Sequence, residues 1–168
     1  MIANAIAAIL SNWFLALFVV ALCTTYAKVR RARSRRERVN VAGILWGELL
    51  LYSVGISMAY GGIFHAYFAT ITAPAIGWQP SPFEYELGWM EIPVGIVAIA
   101  SMWRGLEFRI ASTTIFVIFS LAAAAQHVEQ ILCCKNFAPN NAGVLLWFGD
   151  IFLPLLIVTC ALLARHRD

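Results

Sequence analysis

Long apolar stretches separated by short polar segments dominate the chain. Five of them are long enough for a helix of about 20 residues, the length that crosses about 30 Å of hydrocarbon. They cover residues 3–27, 41–72, 83–103, 110–132 and 144–164. Polar and apolar residues do not alternate along these runs, and backbone groups in lipid must pair within a segment, so the runs predict helices rather than strands. The predicted fold is an all-α integral membrane bundle of about five helices, forming one domain over residues 1–168.

Composition supports lipid as the surroundings of this bundle. The chain is 61% hydrophobic and 12% charged, whereas soluble domains are roughly 25% charged. Seven of the twelve Lys and Arg residues fall within residues 28–38. A basic run also occurs in nucleic-acid-binding proteins. Here it lies between two apolar segments, which is typical of a cytoplasmic loop, so no nucleic-acid partner is expected.

The basic residues also predict the orientation of the chain. With the N-terminus outside, the cytoplasmic regions are 28–38, 104–109 and 165–167, and they hold eleven of the twelve Lys and Arg residues. Cytoplasmic regions carry such an excess in membrane proteins. We therefore expect outer loops at 73–82 and 133–143 and a cytoplasmic C-terminus. The first ten residues carry no Lys or Arg, so the first segment is expected to be a retained helix rather than a cleaved signal peptide.

Small and polar residues recur at helical spacing along four of the predicted helices. The faces are Glu48, Tyr52, Gly55, Ala59 and Gly62; Glu84, Gly88, Glu91, Gly95 and Ala98; Thr113, Ser120, Ala124 and His127; and Gly143, Trp147, Asp150 and Pro154. Small residues let helices approach closely in lipid. The polar side chains on the same faces are therefore predicted to point into the bundle, and the small faces leave a homo-oligomer open.

Ionisable side chains from separate segments are expected to meet in the outer half of the bundle. They are His65, Glu91, His127 and Asp150. The helical rise places Glu91 about 10 Å from the outer end of its helix. An ionised side chain inside a membrane helix costs at least about 2.5 kcal/mol on insertion scales, and almost no Lys or Arg lies at that depth. The group therefore predicts a functional site.

Three interpretations of this site are open. In the first, imidazole and carboxylate groups bind a divalent metal such as Zn, Fe or Mn, which in an enzyme would act as a Lewis acid on a small or lipid-soluble ligand. In the second, the acids carry protons or bind solute in a proton-coupled transporter. In the third, the chain is a non-catalytic accessory subunit whose polar core only holds the bundle together.

The most distinctive segment covers residues 76–88, Ile-Gly-Trp-Gln-Pro-Ser-Pro-Phe-Glu-Tyr-Glu-Leu-Gly. It resembles the Gly-Trp-x-x-Ser-Pro-Phe-x-x-Glu-x-Gly signature of a domain of unknown function found in small prokaryotic membrane proteins. The resemblance spans roughly residues 40–160 and rests on Trp78, Ser81, Pro82, Phe83, Glu86, Gly88, His127, Asn141, Gly143, Asp150 and Pro154. It implies a multi-pass protein of a prokaryotic inner membrane and no particular activity. It adds Glu86, Trp78 and Asn141 as ligand-binding residues of the outer site.

Overall fold

The computed structural model describes residues 12–165, and within that range the chain is helical with short connections and no strand. The helices are α1 Trp13–Ser34, α2 Val41–Tyr67, α3 Ala69–Ala75, α4 Phe83–Ala100, α5 Leu106–Cys134 and α6 Pro139–Arg165. A 3₁₀ turn, Ser101–Trp103, joins α4 to α5. The predicted start of the first helix at residue 3 lies outside the described residues.

Four of the helices in the described range, α1, α2, α5 and α6, are long and apolar enough to cross a membrane by length and composition. The fourth helix in chain order, α4, has 18 residues and carries three acids. Large apolar side chains cover the outside of the bundle, among them Trp103 at 77% exposure, Ile118 at 65% and Leu132 at 65%. So extensive an apolar surface is unusual for a soluble monomer, and it is compatible with a membrane protein.

The segment predicted as one long helix over 41–72 is two helices in the structure. It begins at Asn40, whose side-chain oxygen accepts the Gly43 amide hydrogen at 2.9 Å and so caps the first turn. Helix α2 then continues through the adjacent glycines Gly61 and Gly62 and ends at Tyr67. The next residue, Phe68, leaves the helical region with φ of −131° and ψ of 39°. The short helix α3 follows. The chain therefore changes direction at Phe68 and not at Gly61 and Gly62.

Glycines allow α2 and α4 to pack closely against each other. A Cβ atom on Gly88 would lie 2.4 Å from the carbonyl oxygen of Gly62, and one on Gly95 would lie 2.6 Å from that of Gly55. Only hydrogen fits at these positions. The predicted interior face of α4 is confirmed, because Glu84, Gly88, Glu91, Gly95 and Ala98 are all buried.

Two helices contain a π-helical segment, Leu49–Ile56 in α2 and Leu145–Phe152 in α6. A π turn bonds residue i to residue i+5 and so holds one more residue than an α turn. In α6 this changes which side chains face inward: Trp147 is 60% exposed and Leu146 is fully buried. The prediction that Trp147 shares the interior face with Asp150 is wrong, because it assumed α-helical spacing.

The two ends of the bundle differ in character. At one end the α1–α2 connection meets the α4–α5 turn, and Lys28, Arg38, Arg104 and Arg109 surround a common cavity. We call this the basic end.

The hydrophobic core lies between α1, α2, α5 and α6 and includes Trp46, Leu49, Leu50, Leu153 and Ile157.

Candidate functional site

A cavity of about 350 Å³ lies between the helices, toward the end of the bundle opposite the basic end. All four ionisable residues predicted to meet, His65, Glu91, His127 and Asp150, line it. They come from α2, α4, α5 and α6 respectively, so the cavity depends on the packing of four helices. The structure therefore brings the predicted group into one chamber.

Apolar side chains, several of them aromatic, form most of the rest of the cavity wall. Six aromatic side chains line it: Trp13, Phe14, Trp78, Phe83, Phe116 and Phe119. Among them is Trp78, a predicted ligand-binding residue from the loop before α4. A mostly apolar pocket of a few hundred Å³ with a small number of polar groups is typical of a small-molecule site.

The two carboxylates in the cavity have few partners. None of the described residues that line it is Lys or Arg. Glu91 is 8% exposed and makes no hydrogen bond with any residue in the described range. The nearest ion-pairing contact of Asp150 is His127, with 3.8 Å between Oδ2 and Nε2, too long for a direct hydrogen bond. Both acids are thus available to a bound molecule.

Each π-helical segment contributes a polar side chain to this cavity. The segment in α2 contributes Ser53, which is 3% exposed. Its hydroxyl is buried and has no hydrogen-bond partner among the described residues. The segment in α6 contributes Asp150. An unpaired buried hydroxyl costs free energy, and π turns occur frequently at functional sites, so both observations indicate a place for a bound molecule or water.

Hydrogen bonds fix the protonation pattern of His127. Asn141, which is fully buried, directs its Nδ2 toward the main-chain oxygens of Asn136 at 2.8 Å and His127 at 3.4 Å. Main-chain oxygens only accept, so the amide must donate there and its Oδ1 faces the His127 Nδ1 at 2.7 Å. The Nδ1 atom therefore carries a hydrogen and donates it. The Nε2 atom, on the Asp150 side, is left for a ligand or a proton.

The second histidine is held by an acid that the signature did not highlight. The His65 Nδ1 lies 2.7 Å from Oε2 of Glu84, and the Thr72 hydroxyl donates to the same oxygen at 3.2 Å. Glu84 is 4% exposed. The predicted ligand residue Glu86 is exposed and does not line the cavity. The spacing of Glu84 from Gly88 and Glu91 was the sequence signal for its inward position, whereas the family resemblance pointed to Glu86.

The structure gives no support to the predicted metal site. Among the residues that the structure describes, no three His, Cys, Asp or Glu side chains are grouped to hold a metal ion. The set His65, Glu91, His127 and Asp150 shares a cavity without such a grouping, so the binding of Zn, Fe or Mn stays a prediction.

Comparison with protein families matches residues 11–168 to DUF6790, a family of unknown function. The chain belongs to this family. The match covers more of the chain than the segment that carries the signature resemblance. The signature itself and the prokaryotic origin stay predictions, and membership assigns no reaction or ligand to the cavity.

A search of curated proteins finds similarity to cytochrome c oxidase subunit 3 from Wickerhamomyces canadensis. The two chains are 31% identical over 111 residues, which is 66% of this chain and 36% of the other protein. The chain thus spans about a third of the length of the relative that it matches. No solved structure matches the chain.

Proposed function

We propose that the protein is a multi-pass membrane protein whose cavity binds a small organic molecule that carries a positive charge and an apolar body. The observation that carries this proposal is that Glu91 and Asp150 lie among six aromatic side chains, with no Lys or Arg among the described residues that line the cavity. The same carboxylates would repel an anion, and a neutral molecule would offer them no positive charge.

The membrane setting of the proposal includes α4 as a fifth span. Its 18 residues reach about 27 Å at 1.5 Å per residue, close to the thickness of the hydrocarbon. Two of its three acids, Glu84 and Glu91, are buried against the other helices rather than facing outward. We place the basic end in the cytoplasm, because positive charge accumulates there, which puts the cavity in the outer half.

The ligand class follows from the chemistry of the wall. A carboxylate in surroundings of low polarity attracts a cation more strongly than it does in water. Aromatic faces add cation–π attraction, worth about 0.5–2 kcal/mol depending on exposure. The Nε2 atom of His127 and the hydroxyl of Ser53 supply further hydrogen-bonding groups for an ammonium hydrogen. A primary or secondary amine with an aromatic or alkyl body matches all of these groups.

Binding of matched probes to protein in phosphatidylcholine nanodiscs tests the proposal. The probes are phenethylamine, 2-phenylethanol and 3-phenylpropionate, which have similar bodies but differ in charge. We expect only the amine to raise the melting temperature. At a ligand concentration of about 100 times Kd, the stabilisation is about 2.7 kcal/mol.

Substitutions of acids inside and outside the cavity test whether binding of the amine depends on the cavity carboxylates. The substitution Glu91→Gln removes a cavity carboxylate and should abolish the effect of the amine, as should Asp150→Asn. Glu86→Gln changes an exposed acid of the same helix outside the cavity and should leave the effect intact. Equal stabilisation by the alcohol, or full binding by the Glu91→Gln protein, would reject the proposal.

A second candidate function is that of an accessory subunit of a membrane complex. The observation in its favour is the similarity to a protein named as a subunit of an oxidase. It predicts that none of the probes binds and that Glu91→Gln and Asp150→Asn change only the melting temperature. It also predicts that the native chain migrates in mild detergent as part of a larger complex of fixed composition, whose other chains mass spectrometry would identify.

A further inference from the structure

A second cavity, of about 580 Å³, opens at the basic end. Residues from α1, the α1–α2 connection, α2, the α4–α5 turn, the start of α5 and the end of α6 surround it. Four of them are cationic, Lys28, Arg38, Arg104 and Arg109, and they come from different parts of the chain. The cavity is separate from the one that contains Glu91 and Asp150, and its charged lining is mainly basic rather than acidic.

The charges around this cavity do not balance. Lys28 donates to Glu48 at 2.5 Å, and that carboxylate is 2% exposed, so the pair neutralises itself. Among the described residues that line the cavity, three arginines then face one remaining carboxylate, that of Glu37. Three positive charges against one negative charge leave an excess of two. An anion bound among the arginines would compensate this excess.

Arg109 is oriented for such a role. Its Nε donates to the main-chain oxygen of Ser101 at 3.1 Å, which fixes the plane of the guanidinium. Its two terminal nitrogens lie beside Gly47, each 3.7 Å from where a Cβ atom would stand. They have no hydrogen-bond partner among the described residues. Gly47 therefore keeps open the space into which the two nitrogens can donate.

Neighbouring polar groups that might otherwise satisfy Arg109 are already occupied. The side chain of Asn40 bonds the Gly43 amide and the carbonyl oxygen of Ala164. The carboxylate of Glu48 is bonded to Lys28. Among the described residues, the arginine donors thus remain free for an anion.

We propose that this cavity binds a phosphate-bearing anion, with Arg109 donating both terminal nitrogens and with Arg38 and Arg104 completing the site. A guanidinium matches the geometry of two phosphate oxygens, and such paired bonds are among the stronger ones in proteins. The phosphate belongs either to the headgroup of an anionic membrane lipid, which basic residues at a membrane surface attract, or to a free phosphate compound.

Lipid binding to the full-length protein tests the first source. Native mass spectrometry of detergent-purified protein would compare phosphatidylglycerol with phosphatidylcholine of the same acyl chains. If the phosphate belongs to a lipid, phosphatidylglycerol should bind at least roughly tenfold more tightly, the factor that one charged hydrogen bond contributes. Arg109→Gln should remove most of this difference. Arg104→Gln provides a second variant at an exposed position, which guards against a folding defect.

Arg30→Gln is the matched control, because Arg30 is an exposed arginine of α1 that does not line the cavity. It should bind phosphatidylglycerol like the native protein. Titration of the delipidated protein with inorganic phosphate tests the second source. Saturable binding of phosphate that Arg109→Gln weakens, together with equal binding of the two lipids, would assign the site to a free phosphate compound. Equal binding of both lipids with no binding of phosphate would overturn the proposal. Equal losses from Arg30→Gln and Arg109→Gln would overturn it as well.

Discussion

Asn141 holds His127 at two points, accepting a hydrogen from its ring and donating one to its main-chain oxygen. The two residues belong to different helices, α6 and α5, and are 14 positions apart in the chain. The amide thereby joins the end of one helix to the start of the next. It also sets which nitrogen of the imidazole faces the cavity.

Replacement of Asn141 by Leu should therefore destabilise the protein and release the ring. The buried ring Nδ1 of His127 and the main-chain oxygen of Asn136 lose their partner, which costs about 1–3 kcal/mol for each group left unpaired. Chemical denaturation in mixed micelles would measure the loss. Asn140→Ala is the control, since the side chain of Asn140 makes none of these bonds.

The assigned tautomer is itself measurable. In protein with ¹⁵N-labelled histidine, the Nδ1 of neutral His127 should show the chemical shift of a protonated ring nitrogen and Nε2 that of an unprotonated one. The Asn141→Leu protein should lose this preference. A neutral ring protonated at Nε2 in the native protein would contradict the arrangement described for Asn141.

The crossing of α2 and α4 makes Gly88 sensitive to the addition of a single methyl group. A Cβ atom there would lie 2.4 Å from the carbonyl oxygen of Gly62 and 2.5 Å from the amide nitrogen of Ala66. Both atoms belong to a helix backbone and cannot turn away. Gly88→Ala should lower the free energy of unfolding by about 1–3 kcal/mol, the usual cost of overpacking, or by more.

Gly105→Ala is the matched comparison for Gly88→Ala. A Cβ atom on Gly105 would meet nothing within 4 Å, and its φ of −69° suits alanine. Its effect should be clearly smaller in the same denaturation experiment. Equal effects at the two positions would mean that the close contact between α2 and α4 is not what makes Gly88 sensitive.

Much of the architecture could be predicted from hydrophobic pattern and spacing alone. The interior face of α4 follows from the positions of Glu84, Gly88 and Glu91, because an α-helix repeats at intervals of three and four residues. The burial of Ser120, Ala124 and His127 in α5 follows in the same way. Spacing worked in these two helices because both keep regular α-helical geometry there.

The remaining features depend on information that a helical repeat does not carry. The π-helical segment in α6 turns Trp147 outward. The α-helical spacing of residues does not predict where a π turn forms. The pairing of His65 with Glu84 depends on how α2 packs against α4, which the sequence of either helix leaves undetermined. The metal hypothesis counted suitable residue types, but whether these residues converge on one point depends on how the four helices pack, which residue type alone does not give.

Glu84 and Glu86 allow a direct comparison of the acid that helical spacing indicates with the acid that the family signature indicates. Glu84→Leu removes the partner of the His65 ring and of the Thr72 hydroxyl, so it should cost about 1–3 kcal/mol. Glu86→Leu alters an exposed position of the same helical turn and should change stability by no more than about 0.5 kcal/mol. Denaturation of the two variants in the same detergent would compare them. A larger loss from Glu86→Leu would favour the residue that the family signature indicates.

The ion pair between Lys28 and Glu48 should couple α1 to α2 at the basic end. Glu48 is 2% exposed, whereas the side chain of Lys28 is 52% exposed, so the acid depends on this one partner for its charge. Lys28→Met should cost about 1–3 kcal/mol, because a buried carboxylate loses its donor. Glu48→Gln within the Lys28→Met protein removes the unpaired charge and should restore more than half of that loss. Unfolding of the four proteins of this double-mutant cycle would give the coupling energy. If the two substitutions have simply additive effects, the carboxylate is not held by Lys28, and the charge balance inferred for the basic cavity would have to include Lys28 as a free cation.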